Sequence, residues 1–304
     1  MAVPQNARLI LHFDTESVRA KAPPDYSTDA ARPDWLDEAL KAAASICNVL
    51  NDTGARASFF IVGRLLELAG DEYADLLGNE RFDIGNHTFN HWKVCPAKSD
   101  DYVERFTDEL TRTAQQIERC FGTAPTGFTT PGGYYRGLAG KTQPLGVLHD
   151  QGYRYISSDA QPRRDSPACS PAPFNQPHWY DEDGFGDLLE IPLTGWHCNL
   201  LFNTGGQNDN WQPAPGFPDG TILERLPRTV EEGFAVRKKE FQYAIDHDLV
   251  YQPCMHPWSV YRADPMLDHL RRLIEMARAH DVPVVNCRDV YDQYAPRRGG
   301  VGLQ

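Results

Sequence analysis

The sequence predicts an α/β fold built from parallel strands alternating with helices, and three observations predict it. Short apolar runs of strand length alternate with stretches of helical periodicity. The helical stretches have readable ends. The length, 304 residues, also suits one large α/β domain, because barrels of ~250 residues and more fold as single units. The whole chain, 1–304, is therefore expected to form one domain.

Taken in order, the candidate strands are residues 8–14, 57–62, 81–85, 126–130, 153–157, 188–193, 249–254 and 282–287. A helix over 35–53 closes on Gly54, and a second, capped by Ser99, places Phe106, Leu110, Ile117 and Phe121 on one face before Gly122. A third over 263–280 aligns Leu267, Leu270, Ile274 and Ala277, and a fourth runs over 229–246. Segments 17–33, 161–187 and 199–228 break the rhythm, and long irregular stretches of this kind in a compact domain are usually lids or binding loops. Strands and helices in this order can close into a barrel or remain an open sheet, and periodicity leaves both open.

Composition excludes several functions. Hydrophobic residues make up 41% and charged residues 24%, and no apolar run approaches the ~18 residues that span a bilayer, so a soluble chain with no membrane partner is expected. Residues Met1 to Arg8 lack a basic segment, an apolar core and a cleavage site, which predicts a cytoplasmic location. The seven cysteines are scattered without a CxxC pair, as expected of reduced, buried thiols. A net charge of −12, with no basic cluster larger than Arg237-Lys238-Lys239, argues against nucleic acid as a partner.

In a barrel the chemistry lies at the C-terminal ends of the strands, and these ends are polar here. The first ends in Phe13-Asp14-Thr15-Glu16, the third in Gly85-Asn86-His87-Thr88-Phe89-Asn90-His91, the fourth in Thr130-Pro131-Gly132-Gly133-Tyr134 and the seventh in Cys254-Met255-His256-Pro257-Trp258. His87 and His91, four apart, can converge on one ion from a helical turn or a tight loop, and zinc takes imidazole nitrogen with carboxylate oxygen. Asp14 and Glu16 share a face of an extended segment and supply one ligand and one base. The alternatives are hydrogen-bonded surface histidines and, for Asp14, a helix N-cap. His12 reads as a hydrogen-bonded core histidine and Cys254 as packing. His197 and Cys198 read equally as pocket or packing residues. Ser157 and Ser158 lack the GxSxG context of a serine nucleophile.

Six segments in order, Phe59 to Gly63, Phe82 to His91, Pro131-Gly132-Gly133, Tyr155 to Asp159, Glu190-Ile191-Pro192 and His256-Pro257, resemble the polysaccharide deacetylase pattern (NodB-homology, carbohydrate esterase family four). The resemblance implies a distorted (β/α) barrel of seven or eight strands forming a single catalytic domain. It makes His87 and His91 metal ligands, with Glu16 in place of the usual Asp as third ligand, Asp14 the base and His256 the general acid. Pro131, Gly132 and Tyr134 match the segment whose backbone N–H holds the oxyanion, and Trp196 matches a pocket aromatic. One departure stands out: Phe128-Thr129-Thr130-Pro131 lacks the Arg that tethers the family's base, a role open to Arg136, which reads equally as a solvated loop residue. The absent signal, Ser157-Ser158-Asp159 and His256-Pro257-Trp258 look like the cytoplasmic branch, which holds peptidoglycan-deacetylase-like and allantoinase-like proteins and implies a homo-oligomer.

The implied function is metal-dependent hydrolysis of a C–N amide bond, with zinc as cofactor and an N-acetylated amino sugar or related small amide as substrate. The alternatives are a metal-independent, allantoinase-like opening of a cyclic amide and an inactive binding barrel. If His256 only supports its strand, the acid has to be sought at His197, Tyr134 or Tyr135.

Overall fold

The computed structural model describes residues 6–17, 34–94, 101–161, 169–170, 175–202, 204 and 227–298. The Ser99 cap, Cys95 and most of the irregular segments expected over 17–33, 161–187 and 199–228 lie outside the described residues.

The first half of the chain repeats a strand–helix unit. β1 (Arg8–Ile10) and β2 (His12–Thr15) are one strand broken at Leu11, followed by α1 (Asp34–Thr53), β3 (Ala57–Ile61), α2 (Gly63–Leu77), β4 (Phe82–Asn86), α3 (Tyr102–Phe121), β5 (Gly127–Tyr135), α4 (Thr142–Asp150) and β6 (Tyr155–Gln161). The second half is less regular: β7 (Cys169–Ser170), β8 (His178–Tyr180), β9 (Phe185–Glu190), β10 (Gly195–Trp196), α5 (Cys198–Leu201), α6 (Val230–Asp246), β11 (Val250–Tyr251), β12 (Cys254–Met255), α7 (Pro257–Ala263), α8 (Asp268–Ala279), β13 (Val284–Val285) and α9 (Cys287–Arg298). β8 and the start of β9, which pair as a short hairpin, fall where the sequence pattern shows only irregular chain, and the rest of β9 begins the strand expected over 188–193.

The main sheet has the order β12-β2-β3-β4-β5-β6-β9-β8, and β1 adds β11 on one side and β13 on the other. Every pairing in the barrel wall is parallel except β8 on β9. Isolated backbone and side-chain hydrogen bonds, in place of a ladder, bridge the chain around β9 to the chain around β11. Thr194 N donates to the Gln252 carbonyl at 2.8 Å, and Gln252 N donates to Thr194 Oγ1 at 2.7 Å. Gln252 Nε2 donates to Ser157 Oγ at 2.8 Å, and Gln176 accepts from Val250 N and donates to its carbonyl. This seam makes the barrel a distorted one.

Alternation sorts the strand residues into two layers. Leu9, Leu11, Phe13, Ala57, Phe59 and Ile61 pack outward against the helices, whereas Ile10, Phe60 and Tyr155 fill the interior. Gly85 is required there, because a Cβ at this position would lie 2.3 Å from the Phe60 ring. The N-terminal end of the barrel is closed by α9: Arg288 pairs with the buried Asp83, which also accepts from Tyr155 and Ser58. The C-terminal end is left for the polar residues of the strand ends.

The helix expected over 263–280 is corrected to α8, which begins only at Asp268, and a separate helix, α7, ends at Ala263. Pro265 disfavours helical geometry at Asp264, which is extended at φ −143°, ψ 89°. The Asp264 carboxylate then accepts from His269 N and from the His269 ring, capping α8. Among the described residues no helix is long and apolar enough to cross a membrane. Cys47, Cys120, Cys198, Cys254 and Cys287 are free thiols.

Candidate active site

Two strand ends deliver three metal-type donors to one place. Glu16 follows β2, and His87 and His91 follow β4, two strands away across β3. The donor atoms of Glu16, His87 and His91 all lie within 4.8 Å of one another. Oε2 of Glu16 is 2.5 Å from Nε2 of His91 and 3.8 Å from Nε2 of His87. Nε2 of His87 is buried without a hydrogen-bond partner, an expensive arrangement unless something binds there. The ring of His87 is aimed by its other nitrogen, which lies 3.0 Å from the Thr129 carbonyl. A proton on Nδ1 therefore leaves the Nε2 lone pair facing the cluster. This donor set fits a divalent ion of the zinc type, and the half-exposed His91 leaves one side open.

The loop that carries both histidines is tight, not helical. Thr88 and His91 sit at φ 60° and 55°, a left-handed geometry that costs about 1–3 kcal/mol for each such residue and persists only when its surroundings enforce it. They do so here. Thr88 N donates to Asn86 Oδ1, Trp92 N donates to Thr88 Oγ1, and the buried Glu109 of α3 accepts from both N and Nδ2 of Asn90. Gly63 N and Arg64 N, at the start of α2, donate to the carbonyls of Thr88 and Phe89.

Asp14 lies beside this cluster without belonging to it. His12 Nε2 donates to its Oδ1 at 2.7 Å and Cys254 Sγ to its Oδ2 at 3.2 Å. Burial alone would raise its pKa, but His87, His12 and His256 outweigh burial and hold the carboxyl below its ordinary range. Glu16 is likewise held well below its ordinary value by His91, His87 and His256 against burial.

His256 closes the other side. It ends β12, and Pro257 at the first turn of α7 keeps it extended at φ −115°, ψ 125°. Its Nε2 lies 3.6 Å from Glu16 Oε1 and 3.8 Å from Asp14 Oδ2, while Nδ1 lies 3.3 Å from Cys198 Sγ. The Cys198 sulfur also accepts from the His256 backbone N–H at 3.0 Å. Burial disfavours a charged imidazole, yet Cys198, Glu16 and Asp14 outweigh it and push the His256 pKa up to about 10. The Cys198 thiol moves down in turn, as His256 and Ser259 outweigh its burial. His197 is the opposite case, pushed down to about 3 by burial and by the neighbouring His256, and so neutral.

A buried charged network under the site holds this last segment. Glu240 accepts from Trp196 N and from the Tyr251 hydroxyl, and Arg237 donates to the Trp196 carbonyl at 3.0 Å. Gly195, at φ 75°, leaves the room that Glu240 occupies, since a Cβ would meet its carboxylate at 2.3 Å. Trp196 is fully buried directly before His197 and Cys198. Along β5, Thr130 Oγ1 donates to the Gly132 carbonyl, Pro131 is buried and Gly132 is exposed at φ 79°. Tyr134 stands beside Lys141. The exposed Arg136 acts on Asp159, to which its backbone N–H donates.

The structure thus brings Asp14, Glu16, His87, His91 and His256 together. The sequence reads His12 as a hydrogen-bonded core histidine, which it is, and Cys198 as pocket or packing, but shows neither their partners, Asp14 and His256, nor the clamp of Glu109 on the histidine loop. The first pairing had a signal, since His12, Asp14 and Glu16 alternate along one strand face.

Comparison with known proteins agrees with this geometry. Residues 36–156 match the family model for polysaccharide deacetylase. The matched stretch, less than half of the chain, is similar to the NodB-homology superfamily. A Mycobacterium smegmatis structure described as a candidate polysaccharide deacetylase superposes with a TM-score of 0.68 at 17% identity, covering 98% of this chain and 93% of that one. The Puue allantoinase structure superposes at 0.65 with 15% identity, over 95% of this chain and 89% of that one. An uncharacterized protein of Bacillus subtilis (strain 168), YlxY, is 30% identical over 102 residues, which are 34% of this chain and only 30% of the relative. The chain therefore spans about a third of that relative's length.

Proposed function

We propose that this chain is a NodB-superfamily protein and a metal-dependent hydrolase of C–N amide bonds that deacetylates an N-acetylated amino sugar or a related small amide. The observation that carries the reading is the convergence of Glu16, His87 and His91, with Asp14 and His256 beside them yet outside the three-donor set. Glu16, His87 and His91 would hold the ion, and two imidazoles with one carboxylate suit zinc. A bound zinc ion supplies Lewis-acid polarisation of the carbonyl and a more acidic water.

The remaining steps belong to side chains. Asp14, kept ionised, accepts a proton as water adds to the amide carbon, and the carbonyl oxygen takes up the negative charge. In this reading backbone N–H groups of Gly132 to Tyr134, which follow Pro131, would stabilise that oxyanion. His256, carrying a proton at neutral pH, donates it to the nitrogen as the C–N bond breaks, so acetate and a free amine leave. Trp196 is fully buried two residues before Cys198, the partner of His256. Single-domain organisation, a cytoplasmic location and assembly into a homo-oligomer belong to the same reading and rest on the resemblance. A metal-free ring hydrolase or an inactive barrel would leave the unpartnered His87 Nε2 unexplained.

Release of acetate from a short N-acetylglucosamine oligomer tests the proposal. Activity should vanish with a chelator and return with zinc. Opening of a cyclic amide in the presence of chelator, with no acetate released, would replace this reading with the metal-free one.

A further inference from the structure

We infer that His12 is the residue that positions Asp14 for proton transfer, an inference that rests on the proposed function for its catalytic meaning. His12 and Asp14 are two residues apart in β2 and so share its inner face. His12 is completely buried, and its ring stacks on Phe60 with centroids 4.6 Å apart and planes at 23°. Packing therefore fixes the plane of the imidazole, and Nε2 points at Asp14 Oδ1 from 2.7 Å. Nδ1, at the far side of the ring, is buried with no hydrogen-bond partner. A proton there would be stranded in an apolar setting, so a neutral His12 carries its proton on Nε2 and donates it to Asp14.

The two oxygens of Asp14 are thereby made different. Oδ1 is tied to His12, behind the site. Oδ2 receives the weak S–H donor of Cys254, whose backbone stands opposite His12 in the β2–β12 ladder, and it lies 3.8 Å from His256 Nε2. Oδ2 is the oxygen on the side of the reacting groups, and the strong hydrogen bond to Oδ1 fixes where it points. With Nε2 committed to Asp14, His12 is not a ligand of the neighbouring three-donor cluster. It acts through Asp14 and is a positioning residue.

The test has two independent arms. In protein labelled with 15N-histidine, the inference requires that His12 be the Nε2–H tautomer, with a proton resonance shifted downfield by the carboxylate and lost in Asp14→Asn. An Nδ1–H tautomer would overturn it, whether or not any substrate is turned over. In the kinetic arm, with 4-nitrophenyl acetate and an N-acetylglucosamine oligomer, His12→Phe keeps the stack on Phe60 and loses the donor. It should lower kcat by about 10–100-fold, the usual cost of removing a supporting hydrogen bond, with KM and bound zinc unchanged. His12→Gln, which restores an N–H donor, should recover part of the loss. If Asp14→Asn is inactive while His12→Phe turns over like the parent, His12 only packs and the inference falls. If Asp14→Asn stays active, the assignment of Asp14 as base fails instead.

Discussion

Nδ1 of His87 lies 3.0 Å from the carbonyl oxygen of Thr129, and this one contact turns Nε2 of the same ring toward Glu16. Thr129 belongs to β5 and His87 follows β4, so neighbouring strands fix the orientation of a donor that a third strand completes. The same division of labour recurs at Asp14 and His256, each held from behind, by His12 and Cys198, and each presenting its other atom to a common space.

If Asp14 accepts the proton of the attacking water, Asp14→Asn should keep the fold and the bound metal and lose most turnover. The amide preserves the shape and cannot take a proton, and loss of a general base typically costs ~10²–10⁴-fold. Comparison of kcat with metal content per chain checks this. Near-parental kcat would move the base to another group.

His256 should matter according to the leaving group. An amine leaves only when protonated, whereas an activated phenol leaves without help. His256→Ala should therefore slow an acetamide by ~10²–10⁴-fold and an acetate ester of a nitrophenol far less. Equal slowing of both substrates would mean that His256 merely supports the end of β12.

The buried pair beneath the site makes a stability prediction. Arg237 and Glu240 are both essentially inaccessible, and each grips the backbone of Trp196. Arg237→Met leaves Glu240 without its cation, a change that typically destabilises by about 3–5 kcal/mol. Denaturant unfolding should show that loss, and the double variant Arg237→Met/Glu240→Leu should recover part of it. A single variant as stable as the parent would show that the charges are not coupled.

His197 predicts how stability responds to acid. Its pKa is about 3 in the folded chain against an ordinary value near ~6.5, so between these values the unfolded chain binds one more proton. Stability from this group is fully present above pH ~6.5 and is lost as pH falls toward 3, at up to about 1.4 kcal/mol per pH unit. Unfolding free energies measured from pH 7 to pH 4 should fall more shallowly for His197→Gln than for the parent, by roughly one proton's slope. Parallel curves would mean that His197 is not buried in its neutral form.

The strand-end chemistry was legible because period-two alternation and the paired histidines are local signals: His12, Asp14 and Glu16 fall on one face, and His87 and His91 close one loop. What holds these residues was not. Left-handed geometry at Thr88 and His91 has no signature in residue types that rarely adopt it, and the Glu109 clamp comes from a helix distant in sequence. The closure of the barrel escaped for a similar reason, since Gln176 and Gln252 complete it through side chains that carry no strand periodicity. The late start of α8 was visible at Asp264-Pro265, but α7, over Pro257–Ala263, is too short to show a helical period.

The central claim is that Glu16, His87 and His91 form one metal site. Titration of zinc into chelator-treated protein, followed by calorimetry and by metal analysis after dialysis, tests it most directly. The account predicts one ion per chain in the parent, loss of that ion in His87→Ala, His91→Ala and Glu16→Gln with the fold retained by circular dichroism, and no loss in Asp14→Asn. Equal zinc stoichiometry and affinity in the parent and all three ligand variants would contradict it.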